Sequence, residues 1–168
     1  AEGKLMSPEF CYEGSLIAGA EMVESGITCA SDHSFFQCRM LPAGLTEAGI
    51  KCSVSGIVIG FPSAMAKNTD EYIQCAEALF ERFANDPNVR VTVGPHAPYT
   101  VDDDALIKVR DLAHKHSARI HMHVDETQTE IEAHSSNMAS ARCSAFKIWD
   151  YWMNDLFPCI RFVPMMLN

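Results

Sequence analysis

Apolar residues recur along the chain in two alternating rhythms. Gly14 to Glu24 carries Leu16, Ile17, Ala20 and Val23 on one face, a spacing that predicts a helix. Gly26 stops it, and Ile27 to Ala30 follows as a short buried strand that runs out at Asp32. A weaker helical stretch over Pro42 to Ala48 closes at Gly49, and Lys51 to Phe61 is rich in β-formers. Thr69, with Asp70 and Glu71 behind it, reads as an N-cap and acidic first turn. The helix it opens runs through Ala76, Leu79, Phe80 and Phe83. Beyond Asp86-Pro87, Val89 to Val93 predicts a strand, and Thr100 or Asp102 caps a helix striped by Ala105, Leu106, Val109, Leu112 and Ala113. Arg119 to Val124 predicts a further strand. Strands separated by helices at roughly 30-residue spacing imply βαβ units and a parallel sheet. The apolar stripes are the core faces of crossover helices and need no other task.

Length changes this picture. At 168 residues, 48% of them hydrophobic, the chain can build a real core. It is shorter than the roughly 250 residues of a complete (β/α)8 barrel. A formal charge of −9 argues against sequence-independent binding to nucleic acid or anionic membranes, which need clustered positive charge. No apolar run approaches the ~18 residues of a membrane span. Seven scattered cysteines without a C-x-x-C pair imply reduced thiols and a cytoplasmic setting. The opening AEGKLMSPEF resembles neither an initiator nor a secretory leader, and points to a cut or processed end.

Polar residues gather where the strands run out: Ser31-Asp32-His33, then Gly94 to Thr100, then His121 to Thr127. In a parallel α/β sheet the C-terminal strand ends form one rim, so these three would converge. His121 and His123 lie two apart on a strand and share a face, with Ile120, Met122 and Val124 on the other. Two imidazoles on an interior face bind a divalent metal, or are core histidines hydrogen-bonded to neighbours. Glu126, just past the strand end, is a candidate acid/base beside that face or a solvated carboxylate. His96, held between Pro95 and Ala97-Pro98, is aimed by a stiff loop or is a turn residue without a task. His114, His116 and His134 read as surface residues.

Together these stretches resemble the amidohydrolase superfamily, in the branch of methylthioadenosine/S-adenosylhomocysteine deaminases and triazine chlorohydrolases. VTVGPHAPYTV followed by IHMHVDETQTEIE carries the resemblance, with AEMVESGITCASD, EAGIK and VIGFP collinear before them. The resemblance implies an α/β fold, a partial (β/α)8 barrel with about half the barrel strands. It implies His123 as a ligand of zinc or iron, Glu126 as the proton-shuttling catalytic residue and His96 as a substrate contact that helps polarise the bond. His121 has no ligand role by this match. The family's first-strand H-x-H, the next-strand histidine and the last-strand aspartate find no counterpart here. Gly56 stands in the slot where some relatives carry a substrate-binding arginine.

Residues 1–133 follow the barrel rhythm, and 134–168 lose both rhythm and resemblance. The tail is rich in Trp and Met, whose single codons constrain the neighbouring frame. Joining the third base of each codon to the next two forces Gly-Leu-Leu-Asp-Glu and then Arg or a stop across Trp149 to Asp155. The reading is a frameshift near Asn137 to Ala139; the alternative is a genuine divergent helix. Coding DNA with stops in that second frame would overturn the frameshift.

The expected function is a fragment of a metal-dependent hydrolase or deaminase acting on C–N or C–Cl bonds of cyclic amidines. Its partner would be a small purine-nucleoside-like or triazine-like substrate, with the metal site incomplete and the chain inactive or weakly active alone. The second reading is a non-catalytic half-barrel whose open edges and apolar faces promote self-association or a homo-oligomer. A complete small α/β hydrolase of another kind is disfavoured, since neither a G-x-S-x-G elbow nor a phosphate-binding loop occurs.

Overall fold

The structure, a computed structural model, describes residues 7–34, 40–124, 126–130 and 132. Residues 134–168, and with them the tail and its frame, lie outside the described residues, as does His134.

Helix α1 (Pro8–Glu24) begins six residues before the apolar stripe does. Ser7 supplies the reason: its hydroxyl accepts from the Phe10 amide, and Pro8 occupies the first turn, where no amide partner is needed. The helix ends at Gly26, whose φ of +81° lets the Gly26 and Ile27 amides turn back to Val23 and Met22. Strand β1 (Cys29–Asp32) follows, then α2 (Leu41–Glu47), β2 (Lys51–Val58), α3 (Thr69–Phe83), β3 (Val89–Pro95) and α4 (Asp103–His116). Asn68, not Thr69, caps α3, accepting from the Glu71 amide. Asp102 caps α4 through the Ala105 amide. The stretch Arg119–Val124 forms only an isolated parallel bridge, Ile120 to Val93, rather than a full strand.

The sheet is parallel in the order β1-β2-β3, with Ile120 continuing it beyond β3. Each βα unit thus lands beside the previous one, without the reversal of strand order that marks a doubly wound sheet. Helices cover one face. Cys52, Val54, Val89 and Val91 pack with Leu45 and Leu79, while Val93 packs with Val109, Leu112 and Ala113. Sequential parallel strands with helices on one side are an arc of a (β/α) barrel, the α/β architecture expected. Ile120 and Met122 pack on the helix side, which turns His121 and His123 inward.

Candidate active site

Ser31 and His33, at the end of β1, reach the same interior face as Ser55, Thr92, His121 and His123. Ser31 Oγ lies 3.4 Å and Ser55 Oγ 3.2 Å from His121 Nδ1, and Ser55 Oγ lies 2.9 Å from Thr92 Oγ1. Thr92 donates to the Val54 carbonyl at 3.4 Å. One hydrogen assignment serves all of these: Ser55 donates to Thr92, and the single Nδ1 hydrogen of His121 is shared between Ser55 and the more distant Ser31. Asp32 projects from the other face, where burial and then the nearby Asp32 carboxylate raise the Cys11 and Cys52 thiols, Cys52 to about 12. Burial likewise raises Asp32, against its hydrogen bond with Ser34.

Four imidazoles meet at the rim. The His33 ring centroid lies 4.5 Å from His121, 4.6 Å from His123 and 6.2 Å from His96; His96 and His123 are 5.5 Å apart. Burial drives His33 down to about 3, helped by His121 and His123. Burial and then His123 lower His96 and His121 as well. For His33, His96 and His121, burial disfavours the charged form and a neighbouring imidazole disfavours it further.

The loop after β3 is pinned at several points. His96 donates its amide to the Val58 carbonyl at 3.0 Å, and the Gly60 amide donates to Thr100 O at 2.7 Å. Thr100 Oγ1 sits 3.0 Å from His96 Nδ1 and accepts from the Ala97 amide at 3.1 Å. The His123 amide in turn donates to His96 O at 3.0 Å, joining two of the expected site residues through the backbone. Glu126 is exposed, and its Oε2 accepts from Tyr99 OH at 3.4 Å. Its amide donates to Glu130 Oε2 at 3.0 Å. His96, His123 and Glu126 therefore do come to one rim.

Two expectations are corrected. Gly56 faces α3, not the interior: a Cβ there would lie 2.5 Å from Ala76 Cβ. A side chain at 56 would displace the helix and never reach the site, so the absence of an arginine there says nothing about substrate. His116 is no bland surface residue; its Nε2 meets Glu77 Oε1 at 2.5 Å and its ring stacks on Phe80 at 4.1 Å. Sequence reasoning assigned no role to His33, Ser55, Thr92 or Tyr99. The available clue was that Ser31-Asp32-His33 closes a strand; nothing local says that His33 crosses the rim to another strand.

The amidohydrolase family pattern matches residues 2–142. The chain belongs to the amidohydrolase family. It is 37% identical over 131 residues to a 5-methylthioadenosine/S-adenosylhomocysteine deaminase of Thermodesulfovibrio yellowstonii, a match covering 78% of this chain and 30% of that protein. It is 37% identical over 135 residues to a 5'-deoxyadenosine deaminase of Methanobrevibacter smithii, covering 77% and 30%. A zinc-bound adenosine deaminase from Xanthomonas campestris superimposes with a TM-score of 0.78 at 32% identity, over 89% of this chain and 33% of that one. An atrazine chlorohydrolase from Arthrobacter aurescens, complexed with zinc, shares the fold with a TM-score of 0.64 at 20% identity, over 72% and 31%. The chain spans about 30% of the length of these curated relatives.

Zinc in proteins commonly takes four N, S or O donors, three of them protein side chains in catalytic sites. Among the described residues no three His, Cys, Asp or Glu side chains are grouped to hold a metal. The described part of this amidohydrolase therefore does not by itself fit a metal ion. Also among the described residues, no helix is long and apolar enough to cross a membrane.

Proposed function

We propose that this chain carries part of the active site of a hydrolase or deaminase acting on C–N or C–Cl bonds of cyclic amidines, such as purine nucleosides or triazines. The observation that carries the reading is the meeting of His96, His123 and Glu126 at one rim in a chain whose curated relatives are adenosine-type deaminases. Deamination adds water to an amidine carbon and releases ammonia; dechlorination releases chloride. Glu126, at the rim and bonded to Tyr99, holds the transferable proton at its carboxylate and passes it to the departing group. His96 polarises the substrate from the rim, its ring held by the 3.0 Å contact between Nδ1 and Thr100 Oγ1. His123 would be one donor to a zinc or iron ion, which would activate water; the described residues hold no complete group of three donors. On this reading the 168-residue chain is inactive or weakly active alone, in a cytoplasmic setting, with residues 1–133 a partial metal-dependent hydrolase barrel and 134–168 a divergent, frameshifted tail.

Two measurements test this. Elemental analysis of the purified chain should find no stoichiometric metal, and ammonia release from 5'-deoxyadenosine or chloride release from a triazine should be absent. Stoichiometric metal with turnover would contradict the incomplete site. Titration with 5'-deoxyadenosine should still shift the NMR signals of His96, His123 and Tyr99. No shift at any of them would leave the second reading, a non-catalytic self-associating half-barrel. That reading draws support from the exposed Phe10, Ile17, Val23 and Ile27, and from an edge of β1 that has no strand partner among the described residues. Sedimentation of the chain across concentrations reads it directly.

A further inference from the structure

The ladder between β3 and the Ile120 segment is interrupted by a proline, and a histidine from a distant strand fills the gap. Val93 donates to Arg119 O at 3.0 Å, and His121 donates to Val93 O at 2.9 Å. The next rung of a parallel ladder would run from the amide of residue 95 to His121 O. Residue 95 is Pro95, which has no N–H. The pairing slips, so that His123 donates to His96 O instead. The stranded His121 carbonyl lies 3.0 Å from His33 Nε2. A carbonyl oxygen only accepts, so the His33 proton sits on Nε2. The ring fits there because position 94 is glycine: a Cβ on Gly94 would come within 3.0 Å of His33 Nε2 and 2.8 Å of Ser55 Cβ. In this seat the His33 ring meets His123 edge to face at 80°.

We propose that His33 is a positioning residue of the site: its Nε2–H satisfies the carbonyl that Pro95 leaves without a partner, and its ring props the His123 imidazole. One residue thereby ties the end of β1, across the intervening β2 and β3, to the segment that carries His123. Its consequence for catalysis rests on the deaminase reading above. The bond and the prop do not, and they are measured without turnover.

The experiment is NMR on the 168-residue chain with labelled histidine. His33→Phe keeps an aromatic ring and removes the donor. Amide exchange at His121 and His123 should quicken about fivefold, the size of one lost hydrogen bond, and the His123 ring signals should move. His33→Gln, whose side-chain NH2 reaches as far as Nε2, should return both toward the parent; His33→Asn, a bond shorter, should not. Adding Pro95→Ala to His33→Phe supplies the missing backbone N–H and should restore protection at both amides. Unchanged exchange and unchanged His123 signals in His33→Phe would overturn the proposal, as would failure of Pro95→Ala to restore them. If His33→Phe does not fold, equal behaviour of His33→Gln and His33→Asn overturns it instead. A parent chain that ignores 5'-deoxyadenosine while these variants behave as stated would strike the deaminase reading and leave His33 in place.

Discussion

The two faces of the sheet are built from the same three strands and could hardly differ more. The helix side is a dry packing of Cys52, Val54, Val91 and Val93 against Leu45, Leu79, Val109 and Leu112. The interior side carries Ser31, Ser55 and Thr92 beneath His33, His121 and His123, each hydroxyl committed to a partner. Barrel interiors are more often filled by branched apolar side chains. One face stabilises by removing hydrocarbon from water; the other spends buried volume on hydrogen bonds that add little net stability but fix direction. Stability and aim are thus separated by the two-residue period of a strand.

Three perturbations probe that division. Largest should be Leu106→Ala on the helix side: Leu106 is 2% exposed, and the cavity should cost about 2–5 kcal/mol in a urea melt while leaving the tautomers of His33 and His121 unchanged. Acid comes next and attacks the interior side. His33, His96 and His121 all hold folded pKa values below the ordinary 6.5, His33 at about 3. Between those limits the unfolded chain binds more protons than the folded one, so their stabilisation is complete above pH 6.5 and is lost as pH falls toward 3. Asp32, raised above its ordinary 3.8, works in the opposite sense, one group against three. The urea midpoint should drop between neutral pH and pH near 5, and drop less in His33→Gln; a midpoint indifferent to pH would deny that these imidazoles are held neutral. Smallest is Ser55→Ala, which strips partners from Thr92 and His121. It should cost about 1 kcal/mol yet free the His121 ring, seen as averaging of its ring signals. A Ser55→Ala chain with an unmoved His121 ring would erase the contrast between the faces.

Much of this was readable beforehand. The stripe of Ala105, Leu106, Val109, Leu112 and Ala113 is the buried side of α4, because 3.6-residue spacing fixes one helix face whatever it packs against. His121 and His123 face inward for the equally local reason that strands alternate. The start of α1 was missed because Ser7-Pro8 is a capping signal without an apolar stripe. The stretch 119–124 looked like a strand, but Pro95 opposite it removes the donor that a continuous ladder requires.

By itself the sequence determined the βα rhythm, the parallel sheet, the inward histidines and the family, since each depends on residue spacing or on order along one segment. Only the tertiary structure decided that His33 bridges β1 to His121, that Gly56 serves α3 rather than the site, and that His116 is clamped between Glu77 and Phe80. Those facts turn on which atoms meet across 20 to 90 residues of chain, and no local period encodes a distance of that kind.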